Sequence, residues 1–209
     1  MKLGTIAFAA ALLASGVAHA ATFENTEDVG AICCFGTPDT TSYGQTFTIG
    51  SEQTLLDWEF YTNSGSAGNI GFVVAAWDGS KAVGPALYQT SVGFAGGLQD
   101  LTFAGINTTL AAGDYIAYLT VSGVTTPASG VLFAASTSDG GLGGGFRFLN
   151  SNGVDPLTLG TPWSSFSSRS LLYTANLVPT PPPVPEPGAL AMMLAGLAGV
   201  GLFARRRQA

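Results

Sequence analysis

Few residue types in this 209-residue chain are placed to do chemistry. Asn150-x-Asn152-Gly153-x-Asp155 sets oxygen ligands at alternate positions around a glycine turn, a spacing calcium can use. The run lacks the charge density and the distal glutamate of a calcium loop, so an Asn-Gly turn is the stronger expectation. No metal site is assigned, and Asp139 and Asp155 stand as weak calcium candidates. Trp77, Tyr88 and Trp163 could stack on the apolar faces of sugar rings; the competing expectation is that they fill a core. Trp163 lies in the loop-like stretch Gly160-Thr161-Pro162-Trp163 and is the one of the three expected to be exposed. Cys33 and Cys34 are the only cysteines and are adjacent. A vicinal bridge, an intermolecular link and two packed thiols remain open. A structural role is favoured, because a C-C dipeptide is no C-x-x-C redox motif.

Composition removes more chemistry than it offers. His19 is the single histidine and sits in the N-terminal segment, so a chain starting at Ala21 has no Ser-His-Asp or Cys-His machinery and no histidine metal site. Between Ala21 and Pro187 only Lys81, Arg147 and Arg169 oppose thirteen carboxylates, a net charge of −10. A surface of that sign repels nucleic acid and anionic membrane, which excludes nucleic-acid binding. A carboxylate pair could still hydrolyse a glycosidic bond, but spacing singles out no pair. The expectation is a protein with no enzymatic activity, no catalytic residue and no cofactor. The Gly140–Gly145 run lacks the Lys-Ser/Thr ending of a phosphate-binding loop and reads as a flexible hairpin loop.

Those residues must be positioned by a body rich in Gly, Ser, Thr and aromatics, with sparse helix formers. Short alternating runs recur between glycine turns, the pattern of an all-β, antiparallel, jelly-roll-like β-sandwich of eight or nine strands over residues 21–178. Gln45–Ile49 predicts a strand with Phe47 and Ile49 inward. Leu56, Trp58 and Phe60 predict the inward face of the next, and Asn63–Gly68 a turn. Ile70–Trp77 is apolar on both faces, as in a strand covered from both sides. Gly84-Pro85 predicts a break before Leu87–Phe94. Leu101 and Phe103 share a face, Tyr115–Val121 and Val131–Thr137 are further strands, and Phe146–Leu149 and Leu171–Leu177 complete the set.

Both ends of the chain read as handling segments. Met1-Lys2 is a positive start, Leu3–Val17 an apolar stretch, and Ala18-His19-Ala20 a small-x-small cleavage site before Ala21. That pattern predicts a signal peptide over residues 1–20, with the Sec translocon and signal peptidase as partners. At the other end, residues 179–184 form a proline-rich, extended spacer. Pro185-Glu186-Pro187 follows, then an uncharged apolar run over 188–204, then Arg205, Arg206 and Arg207. The run has 17 residues, the lower edge of what spans a bilayer at about 1.5 Å rise per residue. The arginines act as a basic stop under the positive-inside rule. A single transmembrane helix anchoring the chain in the membrane is therefore expected.

The order of these three parts resembles the bacterial PEP-CTERM sorting signal, over residues 185–209. The resemblance implies recognition by an exosortase, removal of the tail near the motif, and export by a Gram-negative bacterium that makes exopolysaccharide. It implies an inner-membrane intermediate, then residence at the outer surface or in the extracellular matrix or biofilm. The reading that unites body and ends is an exported, exosortase-processed envelope or matrix protein with a structural or adhesive role. The alternative is a carbohydrate-binding module for extracellular polysaccharide, with exopolysaccharide as its partner.

Overall fold

Among the described residues the chain forms twelve strands, not the expected eight or nine, in two antiparallel sheets. The structure is a computed structural model that describes residues 19–166 and 168–180, together with 193, 196 and 197. The expected signal peptide up to Ala18, the motif Pro185-Glu186-Pro187, the basic stop Arg205–Arg207 and most of the apolar run lie outside the described residues. Among the described residues no helix is long and apolar enough to cross a membrane. The chain divides after Pro179 into two units, Met1–Pro179 and Thr180–Ala209.

The first unit contains β1 (Ala21–Glu24), β2 (Ala31–Phe35), β3 (Ser42–Ile49), β4 (Gln53–Ser66), β5 (Gly68–Trp77), β6 (Ala82–Phe94), β7 (Gln99–Leu110) and β8 (Gly113–Thr120). It continues with β9 (Ser129–Ser136), β10 (Phe146–Leu149), the short α1 (Pro156–Leu159), β11 (Ser170–Leu171) and β12 (Tyr173–Pro179). One sheet runs β1-β12-β4-β9-β11, with β2 added on β9 and β7 on β4; the other runs β10-β3-β8-β5-β6. The sheets face each other across an aromatic core. Trp58 and Phe60 on β4 meet Phe47 and Phe72 of the opposite sheet, at ring-centre distances of 5.0 Å for Phe47–Trp58 and 6.3 Å for Phe60–Phe72. Trp58 also stacks on Tyr173 of its own sheet at 4.8 Å. Each such ring is fully buried, worth roughly 1.5–3 kcal/mol by removal from water.

Buried polar side chains fix the strands that alternation alone leaves loose. Asn25 Nδ2 donates to the Leu171 carbonyl at 2.8 Å, and its Oδ1 accepts from the Tyr173 amide at 2.6 Å. Gln45 Oε1 accepts from the Leu171 amide at 3.0 Å. These contacts pin the step from β11 to β12, where the chain leaves β9 and joins β4.

Several expectations change in detail. Leu55, not Leu56, faces the core: Leu55 is fully buried, while the register against both β7 and β12 slips between Leu55 and Asp57. Leu56 is the extra residue of a β-bulge, which moves the inward face by one position. Asn63–Gly68 is no turn. β4 runs on to Ser66, pairing with β9 from Thr62 onward, and β5 starts at Gly68, so Ala67 alone carries the chain from one sheet to the other. Gly68 is needed there, since a Cβ would strike the Ala128 backbone. Gly84-Pro85 does not break a strand but lies in β6, where the register against β5 slips between Val74 and Ala76. Proline is tolerated because β6 is the sheet's edge. The glycine run at 140–145 is not a free hairpin loop: Leu142 is buried, Thr48 N donates to its carbonyl at 2.8 Å, and Thr46 N donates to the Gly145 carbonyl at 3.0 Å. β1 and β2 were not legible, being short and lacking alternation, and the strand expected over Leu171–Leu177 is split at Leu172 into β11, paired with β9, and β12, paired with β4.

β5 is buried on both faces, as its sequence implies. Val73 and Ala75 of β5 with Ile116 and Tyr118 of β8 point away from the main core. They are covered by Leu149 at the end of β10 and by Leu157, Leu159 and Trp163 of the segment that follows it. This segment forms a second, smaller core on the outer side of the β3-β8-β5 sheet.

Candidate functional site

The three aromatic candidates do not form one platform. Trp163 is only 7% exposed, because the segment after β10 folds back and Trp163 N donates to the Ser80 carbonyl at 2.8 Å. Its ring packs edge-on against Tyr118 at 5.2 Å and Trp77 at 6.3 Å. The expected exposure is thereby corrected: the large ring closes the second core instead of facing solvent. Trp77 is half-buried, with the Arg147 guanidinium 5.7 Å over its ring. Tyr88, on β6, packs 6.1 Å from Phe72 at the margin of the main core.

Asp139 and Asp155 lie apart and do the work of turn and cap residues. Asp139 Oδ1 accepts from Gly141 N at 2.9 Å, and its carbonyl accepts from the Tyr173 hydroxyl at 2.5 Å. Asp155 is the N-cap of α1, its Oδ1 accepting from Leu157 N at 3.0 Å. Each lies near a buried tyrosine: burial first, then Asp139, pushes Tyr173 up, and burial first, then Asp155, pushes Tyr118 up. Among the described residues no three His, Cys, Asp or Glu side chains gather as a metal site would require. Ala20 precedes β1 without regular structure and Ala21 opens it. Cys33 and Cys34 are bonded to each other on β2, Cys33 being exposed and Cys34 half-buried.

Among the described residues the most accessible aromatic side chain lies elsewhere, at Phe166, with the exposed Arg169 near it. Phe166 is 52% exposed, although its ring is held: it stacks on Phe148 at 5.0 Å and on Phe146 at 5.9 Å. Both partners belong to β10. The segment carrying Phe166 is stitched to that strand at either end. Ser164 and Phe148 exchange two backbone hydrogen bonds of 2.9 Å, and Phe146 N donates to the Arg169 carbonyl at 2.8 Å. Phe166 and Arg169 thus form a ridge between two cavities that share them, of about 340 and 350 Å³. One contains Thr137, Asp139, Ser165, Ser168 and Ser170, with Arg147 also in its wall. The other contains Ala31, Ile32 and Cys33. Sequence reasoning missed this ridge. The available signal was an aromatic set among Ser164, Ser165 and Ser168 and followed by Arg169, a stretch with too few apolar neighbours to bury its ring.

A third cavity of about 530 Å³ lies on the outer side of the β5-β8 strands, lined by Gln89, Thr90, Ser91, Thr120, Ser122 and Asp155 among others. The Ser122 hydroxyl is hydrogen-bonded to Ser151 at 2.6 Å, and Ser151 in turn to Thr41 at 2.9 Å. The three cavities hold Asp139, no carboxylate and Asp155 respectively, so none contains the facing carboxylate pair that glycoside hydrolysis uses.

Comparison with known proteins finds one family match. Residues 183–208 match the PEP-CTERM protein-sorting motif, and a motif of this kind marks a chain for export, membrane sorting and exosortase processing in Gram-negative bacteria. No curated protein matches the chain. Among solved structures, the chain is similar to the cysteine protease and lectin-like domains of Cwp84, a surface layer associated protein of Clostridium difficile. The identity is 14% and the TM-score 0.43, over 67% of this chain and 33% of that one. A structure of infectious bursal disease virus Gt strain aligns at 12% identity and a TM-score of 0.26, over 94% of this chain and 54% of that one. The chain spans about a third of the length of the Cwp84 structure.

Proposed function

We propose that this bearer of the PEP-CTERM protein-sorting motif is a non-enzymatic protein of the cell envelope or the exopolysaccharide matrix, with a structural or adhesive role. The observation that carries the reading is the sorting motif at 183–208 set directly behind an all-β unit that ends at Pro179. In this reading the Sec translocon exports the chain and signal peptidase cuts before Ala21. The apolar run over 188–204 then holds the product in the inner membrane until an exosortase cuts near Pro185-Glu186-Pro187. The two sheets, read as a jelly-roll-like sandwich, are the part delivered to the outer surface or matrix of a Gram-negative cell.

Two features support a passive body. Its net charge of −10 between Ala21 and Pro187 suits a soluble, non-clumping surface protein, and its described body is built of packed sheets whose aromatic rings fill the cores. The test is fractionation of cells expressing the intact chain and a chain truncated after Val184. The intact chain should reach the cell exterior in shortened form. The truncated chain, lacking motif, apolar run and arginines, should bypass membrane retention. Intact chain confined to the cytoplasm would overturn the proposal.

A further inference from the structure

Positive charge is scarce in this protein and is not scattered. Of the three basic residues between Ala21 and Pro187, set against thirteen acidic ones, Arg147 and Arg169 line the same cavity, beside an exposed aromatic ring. In so acidic a chain, an anionic group meets least repulsion beside an exposed arginine whose cavity wall holds no carboxylate, and Arg169 has such a wall on the side of Ala31, Ile32 and Cys33. A guanidinium suits a carboxylate because its parallel N–H groups match the two oxygens. Phe166 supplies the other half of a recognisable pair: an exposed residue whose ring is held by stacking on Phe148 and Phe146.

We propose that the Phe166–Arg169 ridge binds a saccharide in which a carboxylated ring is joined to a neutral one. The two sides of the ridge give the order. The side formed by Ala31, Ile32 and Cys33 has no carboxylate, so Arg169 is the only charged side chain in its lining. That side takes the uronate, its carboxylate on Arg169 and its apolar face against Phe166. The other side contains Asp139 together with the hydroxyls of Thr137, Ser165, Ser168 and Ser170, and its second cation, Arg147, already has its guanidinium over Trp77. A hydroxyl-lined wall with a carboxylate in it suits a neutral ring and disfavours a second uronate. Each cavity, at about 340–350 Å³, is at the small end of ligand pockets, which run from about 300 to 1,000 Å³. That leaves room for one sugar ring per side. The inference deepens the reading of the chain as an exported matrix protein, since it names the class of polymer such a protein would hold.

The test is calorimetric titration of the full chain, in detergent, with a disaccharide of glucuronate joined to galactose. Controls are the same disaccharide with its carboxylate reduced to the alcohol, digalacturonate, and a glutamate-rich peptide. The first should bind with a Kd of about 1 mM or tighter, and the reduced and doubly charged sugars about tenfold more weakly or worse. Arg169→Ala and Phe166→Ala should each lose about tenfold or more, with Arg169→Lys between. Both side chains are exposed, so the melting temperature of each variant should stay at that of the parent. No binding of the uronate disaccharide, equal binding of its reduced form, tighter binding of the peptide, or unchanged affinity in both alanine variants would each overturn the proposal. Export and tail processing are measured separately in cells, so a failure here leaves that reading standing, and a failure there leaves the ridge's affinity standing.

Discussion

The two cores of this protein differ in how they are built. The main core lies between the sheets and is made by strand alternation: Trp58, Phe60, Phe47, Phe72 and Tyr173 come from regular strands and are fully buried. The second core lies on the outer side of one sheet and is made by a returning segment, with Trp163 as its lid. Trp58 packs against rings on both sheets, whereas Trp163 is anchored by the Ser80 carbonyl and two edge-on ring contacts. The main core therefore holds the sheets together, and the second positions the segment that leads into Phe166 and Arg169. The lesson is that a tryptophan in an irregular stretch can still be a core residue, when a strand such as β5 has a second apolar face to cover.

Trp58→Ala should cost about 3–5 kcal/mol in urea denaturation, and a loss well below that would mean the main core is not what joins the sheets. Trp163→Ala should cost less, about 2–3 kcal/mol, because its segment can partly collapse. Hydrogen exchange should then speed up in the 150–164 segment while β4 stays protected. Equal speeding in β4 would merge the two cores into one.

Alkaline pH sharpens the contrast. Burial pushes Tyr43 up to about 12, and Tyr118 and Tyr173 are raised in the same direction. A tyrosine whose folded pKa lies above its unfolded value of about 10 stays protonated longer when folded. Its contribution is complete below pH 10 and is lost as pH rises toward the folded value, by about 1.4 kcal/mol per pH unit for each such group. Tyr118→Phe should remove one such share of the slope and leave those of the main-core tyrosines, as followed by denaturation at several pH values between about 10 and 12. Asp155→Ala, which uncaps α1, should cost about 1 kcal/mol, and a chelator should leave the melting temperature unchanged. Phe166→Ala should shift stability by no more than about 0.5 kcal/mol, since its ring lies half outside either core.

Alternation made the main core legible. Phe47, Trp58, Phe60, Val131, Phe133 and the Leu171–Leu177 set are all buried where period-two reading places them. It failed at Leu56 because a bulge changes the register without changing the composition. It failed at Asn63–Gly68 because polar residues can continue a strand when β9 supplies the hydrogen bonds. The ridge was not legible for a different reason. Phe166 and Arg169 gain their meaning from Cys33 on β2 and from Phe148 on β10, neighbours that sequence separation hides. The ends were read from local order alone, and the C-terminal part coincides with the family match.

Export and trimming at the C-terminal motif are what the proposed role requires of this chain. Intact mass of the protein recovered from the cell exterior tests this requirement most directly. The expected mass is that of a chain beginning at Ala21 and ending in or before the motif at 183–208, less two hydrogens for the bond between Cys33 and Cys34. A mass accounting for all 209 residues would contradict it.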